Sequence, residues 1–279
     1  MTTLARNETV EIAWESFGDV EAPTILLING LGSQMTRWPE AFCSKLTDQG
    51  FRVLRFDNRD TGLSTWFQPG EAYSLADMTK DGVSVLDAAG VARAHIAGVS
   101  MGGMITQAMA IRHPDRVLSI TSIMSATGAP GSLDPKPAAG ATLTTAPPDP
   151  AKDLEAYIAH GVANALTIGS PDYPWPDGAL RARVIAEQAR AYNPTGSVRQ
   201  MGAIRADGDR TEPLGQLTVP AVVLHGSDDP LIQLAGGEAT AAAIPGAELR
   251  VIQGMGHDLP PALYDTFVEA ILAATARAD

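Results

Sequence analysis

The chain has 279 residues, 45% hydrophobic and 19% charged, which leaves room for one large α/β domain with an inserted subdomain. Its formal net charge of -12 argues against nucleic acid as a partner, because an acidic surface repels phosphate backbones. The single cysteine, Cys43, excludes an intrachain disulfide, and no segment approaches the ~20 apolar residues needed to span a bilayer.

Met1 to Val10 holds no apolar run of signal-peptide length, so we expect a soluble, cytoplasmic protein. From Val10 to Phe17 apolar and polar residues alternate, the period of a half-buried strand. Thr24 to Ile28 is a continuous apolar run, expected of a strand buried on both faces of a parallel sheet. It ends in the flexible loop Asn29-Gly30-Leu31-Gly32. Pro39 opens a helix through Leu46 that stops near Gly50. Cys43 lies in it beside Phe42 and Leu46 and reads as a small buried hydrophobe. Phe51 to Phe56 is the next strand, followed by a polar turn from Asp57 to Ser64. Asp57 and Asp60 in this turn have no His or further acid at metal-ligand spacing. We read it as a hydrogen-bonded turn in which Arg59 pairs with an Asp, and we expect no metal site. Ser74-Leu75-Ala76-Asp77 is a helix start, with the helix closing at Gly90.

Ala94 to Val99 is a strand, and Met104 to Arg112 is helical. Between them stands Gly98-Val99-Ser100-Met101-Gly102, a G-x-S-x-G at a strand-to-helix junction. Such a turn forces its central residue into a strained backbone and exposes its hydroxyl at the carboxyl edge of the sheet. No G-x-G-x-x-G accompanies it, so a dinucleotide fingerprint is excluded here. After the helix ends at His113-Pro114, Val117 to Met124 forms another buried strand.

Gly128 to Pro150 is rich in Pro, Gly, Ala, Ser and Thr and reads as a loop or hinge. Helical stretches follow at about 151–166, 177–192 and 197–206. The α/β rhythm resumes at Leu217, with a strand from Val219 to Leu224, a helix from Leu234 to Ile244, a strand from Glu248 to Ile252 and a helix from Tyr264 to Ala276. The alternation implies a mostly parallel central sheet with helices on both faces. Residues 1–129 and 214–279 form this core. Residues 130–213 interrupt it as a helical lid over the sheet's carboxyl edge.

A serine hydroxyl needs a base to take its proton, and the base needs an orienting acid. Of five histidines, His95 starts a strand, His113 ends the helix far from Ser100, and His160 lies in the lid. His225 and His257 both stand at the correct edge. His257 lies in Gly254-Met255-Gly256-His257-Asp258, a loop that two glycines let fold toward Ser100. The loop after Leu224 supplies two competing acids, Asp228 and Asp229, of which the G-x-x-D spacing selects Asp229. The order Ser100, Asp229, His257 matches a Ser…Asp…His arrangement on later strands. Trp38, Met101, Met104, Tyr157, Trp175 and Tyr192 are candidates to line an apolar acyl pocket.

These motifs, with Asn29 to Gly32, Asp57 to Ser64 and Pro245-Gly246, resemble the α/β-hydrolase superfamily over nearly the whole chain. Within it the chain is similar to capped serine esterases of the aclacinomycin methylesterase type. The resemblance implies a triad of Ser100, Asp229 and His257, and an oxyanion hole from the backbone N–H groups of Leu31 and Met101. It departs from the common His-Gly early loop in having Asn29-Gly30, whose side chain we expect to brace that loop. We expect a serine hydrolase that cleaves a small-molecule carboxylic ester through an acyl-enzyme, without cofactor. A lactonase or carbon–carbon-bond hydrolase would use the same triad. A lyase or a non-catalytic binding protein is the remaining alternative, and the oligomeric state stays open.

Overall fold

The computed structural model describes residues 2–278. Strands β1 (Thr3–Asn7), β2 (Val10–Phe17), β3 (Thr24–Ile28), β4 (Arg52–Phe56), β5 (Ala94–Val99), β6 (Val117–Ile123), β7 (Ala221–Gly226) and β8 (Glu248–Ile252) form one sheet. Their spatial order is β1-β2-β4-β3-β5-β6-β7-β8. β1 and β2 pair antiparallel, as do β2 and β4, and every other pairing is parallel. Every residue of β3, β4, β5 and β7 is buried; β3 reads as an apolar run, whereas β4 buries Arg52 and Arg55 and β5 buries His95 among their apolar residues.

The helices in chain order are α1 (Glu40–Thr47), α2 (Leu75–Ala88), α3 (Met101–Arg112), α4 (Pro137–Thr144), α5 (Leu154–Ile168), α6 (Ala179–Arg190), α7 (Gly196–Asp207), α8 (Thr211–Leu214), α9 (Leu234–Ala243) and α10 (Tyr264–Thr275). One core holds side chains of α2 and α3 with Leu26, Leu54 and Ile96 of the sheet. The opposite core holds Trp38, α1 and α10 with Ile25, Val53 and Val222. Alternate residues of the same strands therefore feed opposite layers. α2 begins with a capping box in which Ser74 and Asp77 each satisfy the other's backbone N–H.

The expected strands and helices are present with ends shifted by a few residues, and β1, α4 and α8 were not anticipated. β1 precedes the first expected strand. α4 lies inside the Pro- and Ala-rich stretch read as loop, with Pro137 in its first turn. α8 is a single turn at the end of the inserted block. The Asp57–Ser64 turn is hydrogen-bonded as expected, but Arg59 reaches out of it. It forms a bidentate pair with Asp81 of α2, at 2.6 and 2.7 Å. The carboxylates of the turn pair instead with the inserted helices. Arg190 meets Asp57 at 2.8 Å, and Arg199 meets Asp60 at 2.7 and 2.8 Å.

Candidate active site

Ser100 sits between the end of β5 and the start of α3 with φ 57° and ψ -121°. A non-glycine residue there is strained. Its surroundings hold it: the Ser100 N–H donates to Ile123 O at 2.9 Å, and its carbonyl accepts from Ser125 Oγ at 2.8 Å. The flanking glycines are steric requirements. A Cβ on Gly98 would stand 2.1 Å from Gly102 O, and one on Gly102 would stand 2.2 Å from Ile28 O. The tight crossing of β5, α3 and the end of β3 is thereby possible, and it turns the Ser100 hydroxyl outward.

His257 follows β8, and its Nε2 lies 3.0 Å from Ser100 Oγ. Its Nδ1 lies 2.7 Å from Asp229 Oδ2. The other Asp229 oxygen accepts the N–H groups of Leu231 and Ile232 at 2.8 and 2.9 Å. Asp229 is 2% exposed and His257 7% exposed. The carboxylate is thus buried with each oxygen engaged, and one of them faces the imidazole. Asp228, by contrast, is exposed and accepts from Ser227 Oγ. His225 is buried, bonds Ile232 O at 2.7 Å and stands 3.6 Å from Asp229. Burial lowers its pKa below the usual 6.5, with the Asp229 charge opposing. Of the two histidines at this edge, only His257 contacts Ser100.

The loop after β3 faces the same hydroxyl. A Cβ at Gly30 would come 3.2 Å from Ser100 Cβ. Asn58 Nδ2 donates to the Asn29 backbone carbonyl at 3.1 Å and holds the loop, whereas the Asn29 side chain reaches Phe56 O only at 3.5 Å and leaves its Oδ1 buried without a partner. Gly32 N–H donates to Gln200 Oε1 of α7 at 2.7 Å. Among the described residues, neither the Leu31 nor the Met101 N–H has a protein acceptor. Both residues line the cavity that contains Ser100 and His257.

That cavity has a volume of about 870 Å³. Met104, Tyr157 and Trp175 line it, together with residues of α4 to α7. Trp38 does not. It is 0% exposed and packs its ring 4.9 Å from Phe42, while its carbonyl binds Arg55. It belongs to the core between α1 and the sheet. Tyr192 lies behind the wall, edge-on to Tyr157 at 5.3 Å. Cys43 is buried, and its thiol is pushed up to about 12.

The polar part of the wall escaped the sequence reading. Arg37 and Glu187 form a bidentate pair, with Nη2 to Oε2 at 2.9 Å. Arg183, four residues before Glu187, lines the cavity beside them. That i,i+4 spacing on α6 marked one helix face, but nothing in the sequence said which way it turned. Asp258 accepts Ser170 Oγ at 2.5 Å and Trp175 Nε1 at 2.7 Å. Burial pushes its carboxyl above the usual range despite these bonds. The neighbouring backbone is tied to the same segment: His257 N–H donates to Ile168 O at 2.6 Å, and Gly256 N–H to Ser170 Oγ at 2.9 Å.

A serine hydroxyl, an imidazole and a buried carboxylate in hydrogen-bonded series, beside unpartnered N–H groups on a large cavity, have the geometry for nucleophilic acyl transfer. The chain belongs to the α/β-hydrolase fold family, whose description matches residues 23–260. It is similar to the rhodomycin D methylesterase DauP of Streptomyces sp. (strain C5), 26% identical over 99% of each chain. The putative carbamate hydrolase RutD of Variovorax paradoxus (strain S110) is 28% identical over 88% of each. The solved enol-lactonase from Burkholderia xenovorans LB400 superposes with a TM-score of 0.78 at 25% identity, covering 98% of this chain and 100% of that one.

Proposed function

We propose that the chain is a serine hydrolase that cleaves carboxylic esters through an acyl-enzyme. The hydrogen-bonded series Ser100–His257–Asp229 at the cavity carries this reading. Ser100 Oγ attacks the ester carbonyl while His257 Nε2 takes its proton. Asp229 fixes the imidazole with Nδ1–H toward the carboxylate and stabilises the imidazolium that forms. The tetrahedral oxyanion is held by the N–H groups of Leu31 and Met101, each worth about 3 kcal/mol in such sites. His257 returns the proton to the departing alcohol. It then takes one from the water that cleaves the acyl-enzyme, releasing the acid and restoring Ser100.

In this reading residues 130–213 act as a lid, since α4 to α7 form the far wall of the cavity and so select the substrate. The full-length similarity to a methylesterase supports an ester. The likeness to an enol-lactonase supports a second reading, hydrolysis of a lactone by the same steps. Turnover of p-nitrophenyl acetate and butyrate tests the proposal. Ser100→Ala is expected to abolish it, and equal rates in the two proteins would refute the assignment. A parallel panel of lactones separates the two readings.

A further inference from the structure

The cavity wall carries a cation that no carboxylate hydrogen-bonds. Among the described residues, the Arg183 guanidinium makes no hydrogen bond or ion pair, and its Nε is buried without a partner. A guanidinium has five N–H donors in a planar fork and loses solvation when it is buried without acceptors. Burial lowers this one only to about 10, so it keeps its charge at neutral pH.

The neighbouring carboxylates are already engaged. Glu187 is held by Arg37, and the two Asp258 oxygens accept from Ser170 and Trp175. The wall therefore has three arginines, Arg37, Arg183 and Arg205, against Glu187 and Asp258. A cavity with excess positive charge in a chain of net charge -12 is a local reversal of sign.

The unpaired group is also fixed in place. Its Cζ stacks 4.8 Å over the Trp175 ring. Trp175 is held by its indole N–H on Asp258, the residue that follows His257. A planar fork stacked on one face, with no acceptor hydrogen-bonded to its N–H groups, matches a carboxylate in bidentate geometry.

Resting on the esterase reading, we propose that the substrate is an ester bearing a free carboxylate, which docks on Arg183 while its ester carbonyl lies at Ser100. The acid group is the acceptor that the Arg183 fork lacks.

The test separates binding from chemistry. The probes are monomethyl esters of linear C4 to C10 dicarboxylic acids and their uncharged dimethyl counterparts, titrated calorimetrically into the Ser100→Ala protein. For at least one chain length, the monoester is expected to bind roughly tenfold or more tighter than its diester, the value of one charge-assisted hydrogen bond. That preference is expected to collapse in Ser100→Ala/Arg183→Gln and to return in part in Ser100→Ala/Arg183→Lys. Diesters binding as well as monoesters at every length would overturn the proposal, as would a preference that survives the glutamine. Turnover by the Ser100 protein is measured separately. Ester hydrolysis without a monoester preference leaves the esterase reading intact and removes this inference. A preference without hydrolysis of any ester removes the esterase reading instead.

Discussion

Asp228 is exposed and accepts from Ser227 and from the Gly254 N–H, whereas Asp229 is buried and receives Leu231, Ile232 and His257. Two adjacent residues of one type thus have separate tasks, set by which side of the turn each faces. Replacing Asp229 by Asn keeps the shape but offers His257 Nδ1 an amide, which favours the wrong tautomer. Turnover of Asp229→Asn is expected to fall about 10³- to 10⁴-fold, while Asp228→Asn stays near the parent rate. Steady-state kinetics on p-nitrophenyl butyrate checks both, and a large loss in Asp228→Asn alone would exchange the two assignments.

β1 went unread because only Ala5 of its five residues is fully buried, so it lacks the apolar alternation of β2, its antiparallel neighbour. β3 and β7 were legible because burial on both faces fills them mainly with Val, Ile, Leu and Ala. Ser100, Asp229 and His257 were legible for a related reason: each follows a readable strand. Helices α5 to α7 were legible as helices, yet which of their faces turn inward depends on packing. Trp38 and Trp175 therefore looked equivalent in sequence and lie in a core and a cavity wall. The attachment of α7 to the Asp57–Ser64 turn was equally invisible, since Arg199 and Asp60 are 139 residues apart. Burial pushes the Asp60 carboxyl up, but Arg199, the Phe67 N–H and Tyr73 outweigh it and hold it below the usual carboxylate value. A lowered carboxyl pKa contributes stability that is present above the unfolded value and is lost as pH falls through the folded one. Arg199→Met leaves Asp60 buried with its remaining donors only. It is expected to cost roughly 2–4 kcal/mol and to move the acid-side loss of stability to higher pH. Urea unfolding as a function of pH measures both, and an unchanged midpoint would mean that the pair is not what ties α7 to the turn.

Taken as one body, the chain works against its own charge of -12. Raising monovalent salt from about 10 mM to about 150 mM shortens the screening length from roughly 30 to 8 Å. The thermal midpoint is expected to rise by about 2–4 °C if that relieves ~1 kcal/mol of repulsion. A fall on scanning calorimetry would mean that attractive surface pairs outweigh the excess charge. The stitching of His257 to Ile168, and of Gly256 and Asp258 to Ser170, joins a loop of the sheet to a segment of the inserted block. The molecule is therefore not modular at the boundary where modularity would be most useful. A chimaera that borrows the helical block of another hydrolase to change specificity would import a different seat for the histidine. The portable unit is the block together with the loop from Gly254 to Asp258, or the block trimmed so that Ile168 to Trp175 stays behind.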